Sequence, residues 1–245
     1  METYWLEQTE ADLPAHDDWL SSDEAAQLGR MRFAKRRADW RLGRWTAKRA
    51  AAAYLNLSGD PRALREIEVR PAPSGVPELF LANRPAPVNI SISHRAGIAV
   101  CAIAMRGVQL GCDLELIEPR DASFVADYFT CEEQDFISRA PEKDRPWLIT
   151  LFWSAKESTL KALGEGLRLD TRRLTVTFDA PTEQASAAGD LNWHPLQVCY
   201  ERGEIFHGWW HSAGQFVRTL VGAPSPPQPL LLKECAASAG SGGPR

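Results

Sequence analysis

From Val88 to Ile117 the chain reads as strand after strand, with only tight turns between them. Val88 to Ser93 alternates, with Ile90 and Ile92 on one face, the period of a half-buried strand. Gly97 to Met105 is apolar throughout, which predicts a strand buried on both faces. An Arg106-Gly107 turn then leads into a third strand, Val108 to Ile117. Helices flank this sheet. Ser21-Ser22-Asp23-Glu24 has the form of a capping box opening a helix that Gly29 ends, and Met31 to Leu57 is an Ala-, Arg- and Lys-rich stretch that predicts a long helix.

Asp60-Pro61 breaks that helix, Ile67 and Val69 mark a short strand, and Pro71 to Pro77 is a loop. Asp121–Tyr128 and Thr130–Arg139 read as short helices. A longer helix follows with Pro146 in its first turn, running to Leu163 with Gly164 as its cap. The last third is strand-rich: Leu174–Phe178, Leu196–Glu201, Glu204–His211 and Phe216–Val221. Strands and helices in separate clusters make the fold class α+β. No internal repeat is visible at the sequence level, and the Pro-, Ser-, Gly- and Ala-rich stretch after Ala223 is expected to be disordered.

At 245 residues, 44% hydrophobic and 24% charged, the chain can bury a substantial core as one large domain or two small ones. Disordered, collagenous and coiled-coil classes are excluded. No apolar run approaches the roughly 18–20 residues needed to span a bilayer, so no membrane partner is expected. Met1-Glu2-Thr3-Tyr4-Trp5 carries no secretory signal. The five cysteines (Cys101, Cys112, Cys131, Cys199, Cys235) are scattered without a CxxC pair, against a disulfide scaffold or structural zinc. The expectation is a reduced, soluble, cytoplasmic protein. Its net charge of −4 hides an asymmetry: Arg30 to Ala50 holds nine basic residues and one acid, a local +8 that leaves −12 for the rest. Such polarisation points to one anionic ligand site.

The sharpest chemical feature is Gly111-Cys112-Asp113-Leu114-Glu115. On a strand Asp113 and Glu115 share a face, about 7 Å apart, and repel each other unless a cation or basic group lies between them. Oxygen-only ligands favour Mg²⁺; a solvated strand face is the plain alternative. A second feature is Phe152-Trp153-Ser154-Ala155-Lys156-Glu157-Ser158-Thr159-Leu160-Lys161. Glu157 and Lys161 are i, i+4 on a helix and share a face with Ser154, in an otherwise apolar segment where charges need a partner or a purpose. Ser93-His94 ends a strand, where the histidine can donate to a phosphate; His16, His194, His207 and His211 read as structural. Arg37, Arg41, Arg44 and Lys48 step by four, three and four along the basic helix and form one stripe. A solvated helix face and a nucleic-acid surface are the competing readings of that stripe. The acidic chain and the absence of a reader motif disfavour nucleic acid.

Together these segments resemble the phosphopantetheinyl transferases of the surfactin-synthetase-activating (Sfp) type. The likeness rests on Ile92-Ser93-His94, on the GxDxE of Gly111 to Glu115, and on the WxxKExxxK of Trp153 to Lys161, in order and spacing over about residues 30 to 170. Arg41-Leu42-Gly43-Arg44 and Phe129-Thr130-Cys131-Glu132-Glu133 fall where the family has related patterns. The resemblance implies transfer of the 4′-phosphopantetheine arm of coenzyme A to a serine of an apo acyl, peptidyl or polyketide carrier protein, with release of 3′,5′-ADP. It implies a monomer of two similar α/β halves, 1–107 and 108–222, with the active site in the cleft between them and a tail at 223–245. A non-catalytic coenzyme A or carrier-binding module of the same fold is the alternative.

Carried onto this chain, the resemblance assigns Asp113, Glu115 and Glu157 to Mg²⁺, with Mn²⁺ as an option. Lys161 and His94 are expected to stabilise the departing 3′,5′-ADP. Glu157, directly or through a metal-bound water, is the first expected base and Glu133 the second, although Thr130 and Glu133 also form a capping box. Coenzyme A is expected on Arg37, Arg41, Arg44, Lys48, Ser93, His94, Lys156 and Lys161, with Arg37 and Arg44 preferred for the 3′-phosphate. In Ser74-Gly75-Val76-Pro77 a family GKP pattern has Val76 in place of its lysine, which removes one cation from that loop.

Overall fold

A computed structural model describes residues 2–178 and 192–232. The chain opens with β1 (Thr3–Thr9), whose buried and half-buried residues largely alternate, and continues into α1 (Ser22–Arg30). The capping box closes as expected: Ser21 N donates to Glu24 Oε2 at 3.1 Å and Glu24 N to Ser21 Oγ at 3.3 Å. Next, α2 (Ala34–Tyr54) buries Leu42, Trp45 and the small residues Gly43, Ala47, Ala50 and Ala51, which let its backbone lie close to the sheet. A small antiparallel sheet follows, β2 (Ile67–Pro71), β3 (Pro77–Leu81) and β4 (Arg84–Pro85).

The predicted strand run is β5 (Val88–Arg95), β6 (Ile98–Met105) and β7 (Gln109–Leu116). Ala96 and Gly97 have φ of 50° and 78°, the left-handed pair that a two-residue hairpin needs. Both faces of β6 are covered as its composition demanded. Cys101 and Ile103 join the core under α2, while Val100, Ala102 and Ala104 join a central core with Trp5, Cys112, Leu114 and Leu220.

The second half holds α3 (Ala122–Tyr128), α4 (Cys131–Arg139), α5 (Arg145–Leu163), β8 (Leu174–Phe178), β9 (His194–Tyr200), β10 (Ile205–Ala213) and β11 (Phe216–Ala223). Gly164 ends α5 at φ 71°. The strands order as β7-β11-β10-β9-β8, and α5 covers that sheet. The last strand, β12 (Leu230–Leu231), pairs parallel with β1 in a sheet ordered β12-β1-β6-β5. This corrects the expectation that the chain is unstructured after Ala223. The short Leu run finds the free edge of β1, a partner more than 200 residues away. Residues 233–245, the rest of that tail, lie outside the described residues. The fold class is α+β.

Two buried ion pairs correct two lysine assignments. Lys48 is fully buried, 2.5 Å from Glu24, and donates to the carbonyls of Trp19 and Leu64 at 3.0 and 3.1 Å. Lys156 is also fully buried, 2.7 Å from Glu133, and donates to the carbonyls of Tyr128, Thr171 and Leu174. Each glutamate is the capping-box residue of its helix, and its other oxygen accepts a strand amide, from Val69 for Glu24 and Val176 for Glu133. Neither lysine has donors left for coenzyme A. Glu133, enclosed by its lysine and two backbone amides, does not reach a substrate serine. Removed from water, these charges are tolerable because each is paired and fully hydrogen-bonded.

Candidate active site

Gly111 decides where the site forms. A Cβ there would stand 1.8 Å from the carbonyl oxygen of Ser158 and 2.8 Å from Ala162 N, so only glycine lets α5 rest directly on β7. That contact sets the face of α5 carrying Glu157 and Lys161 beside the face of β7 carrying Asp113 and Glu115. A buried hydroxyl cluster holds the other edge. Thr219, opposite Asp113 in the β7–β11 register, lies 2.8 Å from Ser154 Oγ and 2.7 Å from Ser158 Oγ, all three fully buried. The motif spacing did not reveal Thr219; only the strand register brings it to the helix.

Asp113 is the hub. Its Oδ1 accepts from Lys161 Nζ at 2.8 Å and from Ser93 Oγ at 2.8 Å. Lys161 Nζ also donates to the Cys112 carbonyl at 2.9 Å. Burial disfavours the Lys161 ammonium, but Asp113, Cys112 and Glu157 outweigh it and hold its pKa above the usual lysine value. Glu115 Oε1 accepts from the indole of Trp153 at 3.1 Å, and Arg95 Nε lies 3.7 Å from its Oε2. Trp153 sits one turn before Glu157 on α5, a helical spacing that could have flagged it.

The carboxylates feel one another. Desolvation, then the charge of Asp113, raises Glu115 above the usual carboxylate range, against the pull of Arg95. Glu157 is pushed up to about 7, first by desolvation and then by Asp113 and Glu115, with Lys161 opposing. Buried Asp113 Oδ2 and Glu115 Oε2 have no hydrogen-bond partner among the described residues. Even so, no three His, Cys, Asp or Glu side chains among the described residues are gathered into a metal-binding cluster. Asp113 is turned to Lys161 and Glu115 to Trp153. Two spare carboxylate oxygens, on Asp113 and on Glu115, fit a hard divalent cation, and Mg²⁺ commonly takes only one or two carboxylates besides water and phosphate oxygens.

His94 is the last residue but one of β5 and is exposed at one side; crowding by protein is the main cause lowering its pKa, and Asp39 opposes this. Gly43 of α2 packs against it, 3.9 Å separating His94 Cδ2 from where a Cβ would stand. The basic stripe is not a free face. Arg37 donates to the Leu28 carbonyl at 2.8 Å, Arg41 pairs with Asp17 at 2.6 Å, and Lys48 is the buried strut already described. Arg44 differs: its guanidinium lies over Trp40 at 4.9 Å, and its buried Nε has no hydrogen-bond partner among the described residues. Desolvation lowers its pKa, with Glu24 opposing.

A cleft of about 270 Å³ opens beside Lys161, lined by Ser74–Pro77 and Ile90–Ile92 from the first half and by Leu110, Leu160, Gly164 and Gly166 from the second. No helix among the described residues is long and apolar enough to cross a membrane.

Residues 109–211 match the family model of the 4′-phosphopantetheinyl transferase superfamily. The chain is 28% identical over 199 residues to the 4′-phosphopantetheinyl transferase HetI of Nostoc sp., covering 79% of each chain. It is 26% identical over 178 residues to the L-aminoadipate-semialdehyde dehydrogenase-phosphopantetheinyl transferases of Mus musculus and Homo sapiens. Those matches cover 66% of this chain and 56% of the length of either mammalian relative. With the glycine-seated helix and the acidic pair both inside the matched region, residues 109–211 are similar to the 4′-phosphopantetheinyl transferase superfamily.

Proposed function

We propose that this protein transfers the 4′-phosphopantetheine arm of coenzyme A to a serine of an apo carrier protein and releases 3′,5′-ADP. The observation that carries the reading is the meeting of Lys161, Ser93 and Asp113 at one oxygen, with Glu157 electrostatically coupled to it, beside a cleft lined by both halves. In the reaction the serine Oγ bonds to the phosphorus of the phosphopantetheine group, and the bond from that phosphorus to the bridging oxygen breaks. The electron pair leaves on 3′,5′-ADP, and the serine proton goes to Glu157.

Glu157 suits the proton transfer because a carboxylate with a pKa of about 7 is a better base near neutral pH than an ordinary glutamate. Lys161, held protonated by Asp113, and the His94 ring N–H, close enough to feel the charges of Asp113 and Lys161, are fitted to the negative charge that grows on the leaving group. Asp113 and Glu115, each with a carboxylate oxygen that has no hydrogen-bond partner among the described residues, would hold Mg²⁺, which when bound supplies charge neutralisation of the pyrophosphate. Glu157 is kept for the proton, since a carboxylate ligating Mg²⁺ would lose the raised pKa that makes it a base. Of the stripe, Arg44 has the strongest claim on the 3′-phosphate. The repeated Glu–Lys struts, Glu24–Lys48 and Glu133–Lys156, support a chain of two similar halves.

The test is incubation with coenzyme A, Mg²⁺ and a panel of apo acyl, peptidyl and polyketide carriers, read by mass spectrometry. A gain of one phosphopantetheine on at least one carrier is expected; coenzyme A binding without any mass gain across the panel would instead favour a non-catalytic binding module.

A further inference from the structure

Arg168 stands on the lip of the cleft, just past the Gly164 cap of α5. Its Nη2 donates to the Gly164 carbonyl at 2.9 Å and reaches across the mouth to the Ser74 carbonyl at 3.4 Å. The carboxylate beside it, Glu165, stands off at 3.8 Å, and both side chains are exposed. An exposed i, i+3 pair at that separation contributes little, and 3.4 Å is the weak end of hydrogen bonding. Among the described residues Arg168 therefore has no anionic partner nearer than Glu165 at 3.8 Å, and its charge stands over the cleft.

We propose that Arg168 is a ligand-binding residue that contacts a phosphate of coenzyme A, an inference that rests on the transferase reading above. In an arginine–phosphate bond both partners are ionised, which a carbonyl cannot match, and the planar fork can engage two oxygens at once. Exchange of the long Ser74 contact for a phosphate is thus favourable. The opposite lip cannot supply the cation: it carries Val76, whose Cγ2 lies 3.1 Å from where a Cβ on Gly164 would stand. Loop and turn meet there through an apolar contact, and the positive charge at the mouth comes from the second half.

Titration calorimetry in Mg²⁺ buffer on the full chain tests this, with coenzyme A and 3′,5′-ADP as the ligands. Arg168→Gln is expected to weaken both about tenfold, with Arg168→Lys between it and the wild type. The thermal midpoint of the unliganded variants should stay at the wild-type value. Repeating the titration with 3′-dephospho-coenzyme A locates the contact: a loss that vanishes supports the 3′-phosphate, and one that persists supports the pyrophosphate. Wild-type affinity in Arg168→Gln overturns the proposal while leaving the transferase reading standing. Failure of the wild-type chain to bind coenzyme A overturns both.

Discussion

Lys161 of α5 and Asp113 of β7 are joined by a 2.8 Å ion pair across an interface where helix and strand backbones nearly touch. The pair is the geometric consequence of Gly111. With a side chain at 111 the helix would ride higher, and an i, i+4 pair on α5 would lose its reach to the strand carboxylates. The glycine of the GxDxE pattern and the lysine of WxxKExxxK thus belong to one packing solution.

Gly111→Ala should therefore remove stability and activity together. The added methyl meets backbone atoms of Ser158 and Ala162 rather than a flexible side chain, so the helix itself has to move. Overpacking of this kind costs about 1–3 kcal/mol and occasionally more, and a clash with backbone sits at the upper end. Urea denaturation measures the loss, and carrier mass gain at a temperature where the variant is folded measures the activity. A stable, active Gly111→Ala would sink the account of how the site is assembled.

Glu157→Gln should abolish transfer and change the pH dependence of stability. Because the folded pKa of Glu157, about 7, lies above the ordinary glutamate value of 4.5 that it has when unfolded, the native state holds the extra proton between these values. Stability from this group is present below pH 4.5 and is lost as pH rises through 7. The glutamine variant, which has no charge to bury, should melt higher than wild type at pH 8, the difference shrinking as pH falls towards 4.5. The wild-type transfer rate, in turn, should climb with pH through the ionisation of Glu157, at an apparent pKa that bound Mg²⁺ moves below the metal-free value of about 7. Equal melting temperatures at pH 8 would remove Glu157 from the desolvated acidic site.

Much of this arrangement was legible in the letters. Capping residues, the Pro146 start and Gly164 end of α5, and the strand run from Val88 all express local physics, and they stand where the spacing put them. The errors are long-range. β1 and β12 become strands by pairing with segments about 100 and 225 residues distant, which no local period announces. Lys48 and Lys156 read as ligand-facing cations because their partners, Glu24 and Glu133, already had a local explanation as capping-box residues. A glutamate can satisfy a helix end with one oxygen and still anchor a lysine on another helix. The signal that could have found this is the recurrence itself: each capping-box glutamate precedes, by 24 or 23 residues, a lysine within a helix.

Lys156→Met should destabilise the fold by about 3–5 kcal/mol, the cost of leaving a buried partner charge uncompensated. Pairing it with Glu133→Gln should restore much of that loss, because the stranded carboxylate is removed. Coenzyme A affinity of the folded double variant should match wild type, since Lys156 is spent on Glu133 and three carbonyls. Chemical denaturation and calorimetry check the two halves of this expectation. A marked fall in coenzyme A affinity with stability intact would return Lys156 to the ligand site.

Arg44 and Arg41 lie one turn apart on α2, yet the structure separates their duties. Arg41 is neutralised by Asp17 and tied to the Pro14 carbonyl. Arg44, flattened on Trp40, has a buried N–H with no acceptor among the described residues and is partly stripped of water. An unsatisfied buried donor costs about 1–3 kcal/mol, and a phosphate oxygen would recover it. Arg44→Gln should then weaken coenzyme A binding by roughly tenfold to a hundredfold and flatten its salt dependence, while Arg41→Gln has a smaller effect. With 3′-dephospho-coenzyme A the Arg44→Gln penalty should disappear if the arginine serves the 3′-phosphate. If instead Arg41→Gln carries the larger penalty, the Asp17 pair opens on binding, and the cation that matters is the one the unliganded structure keeps paired.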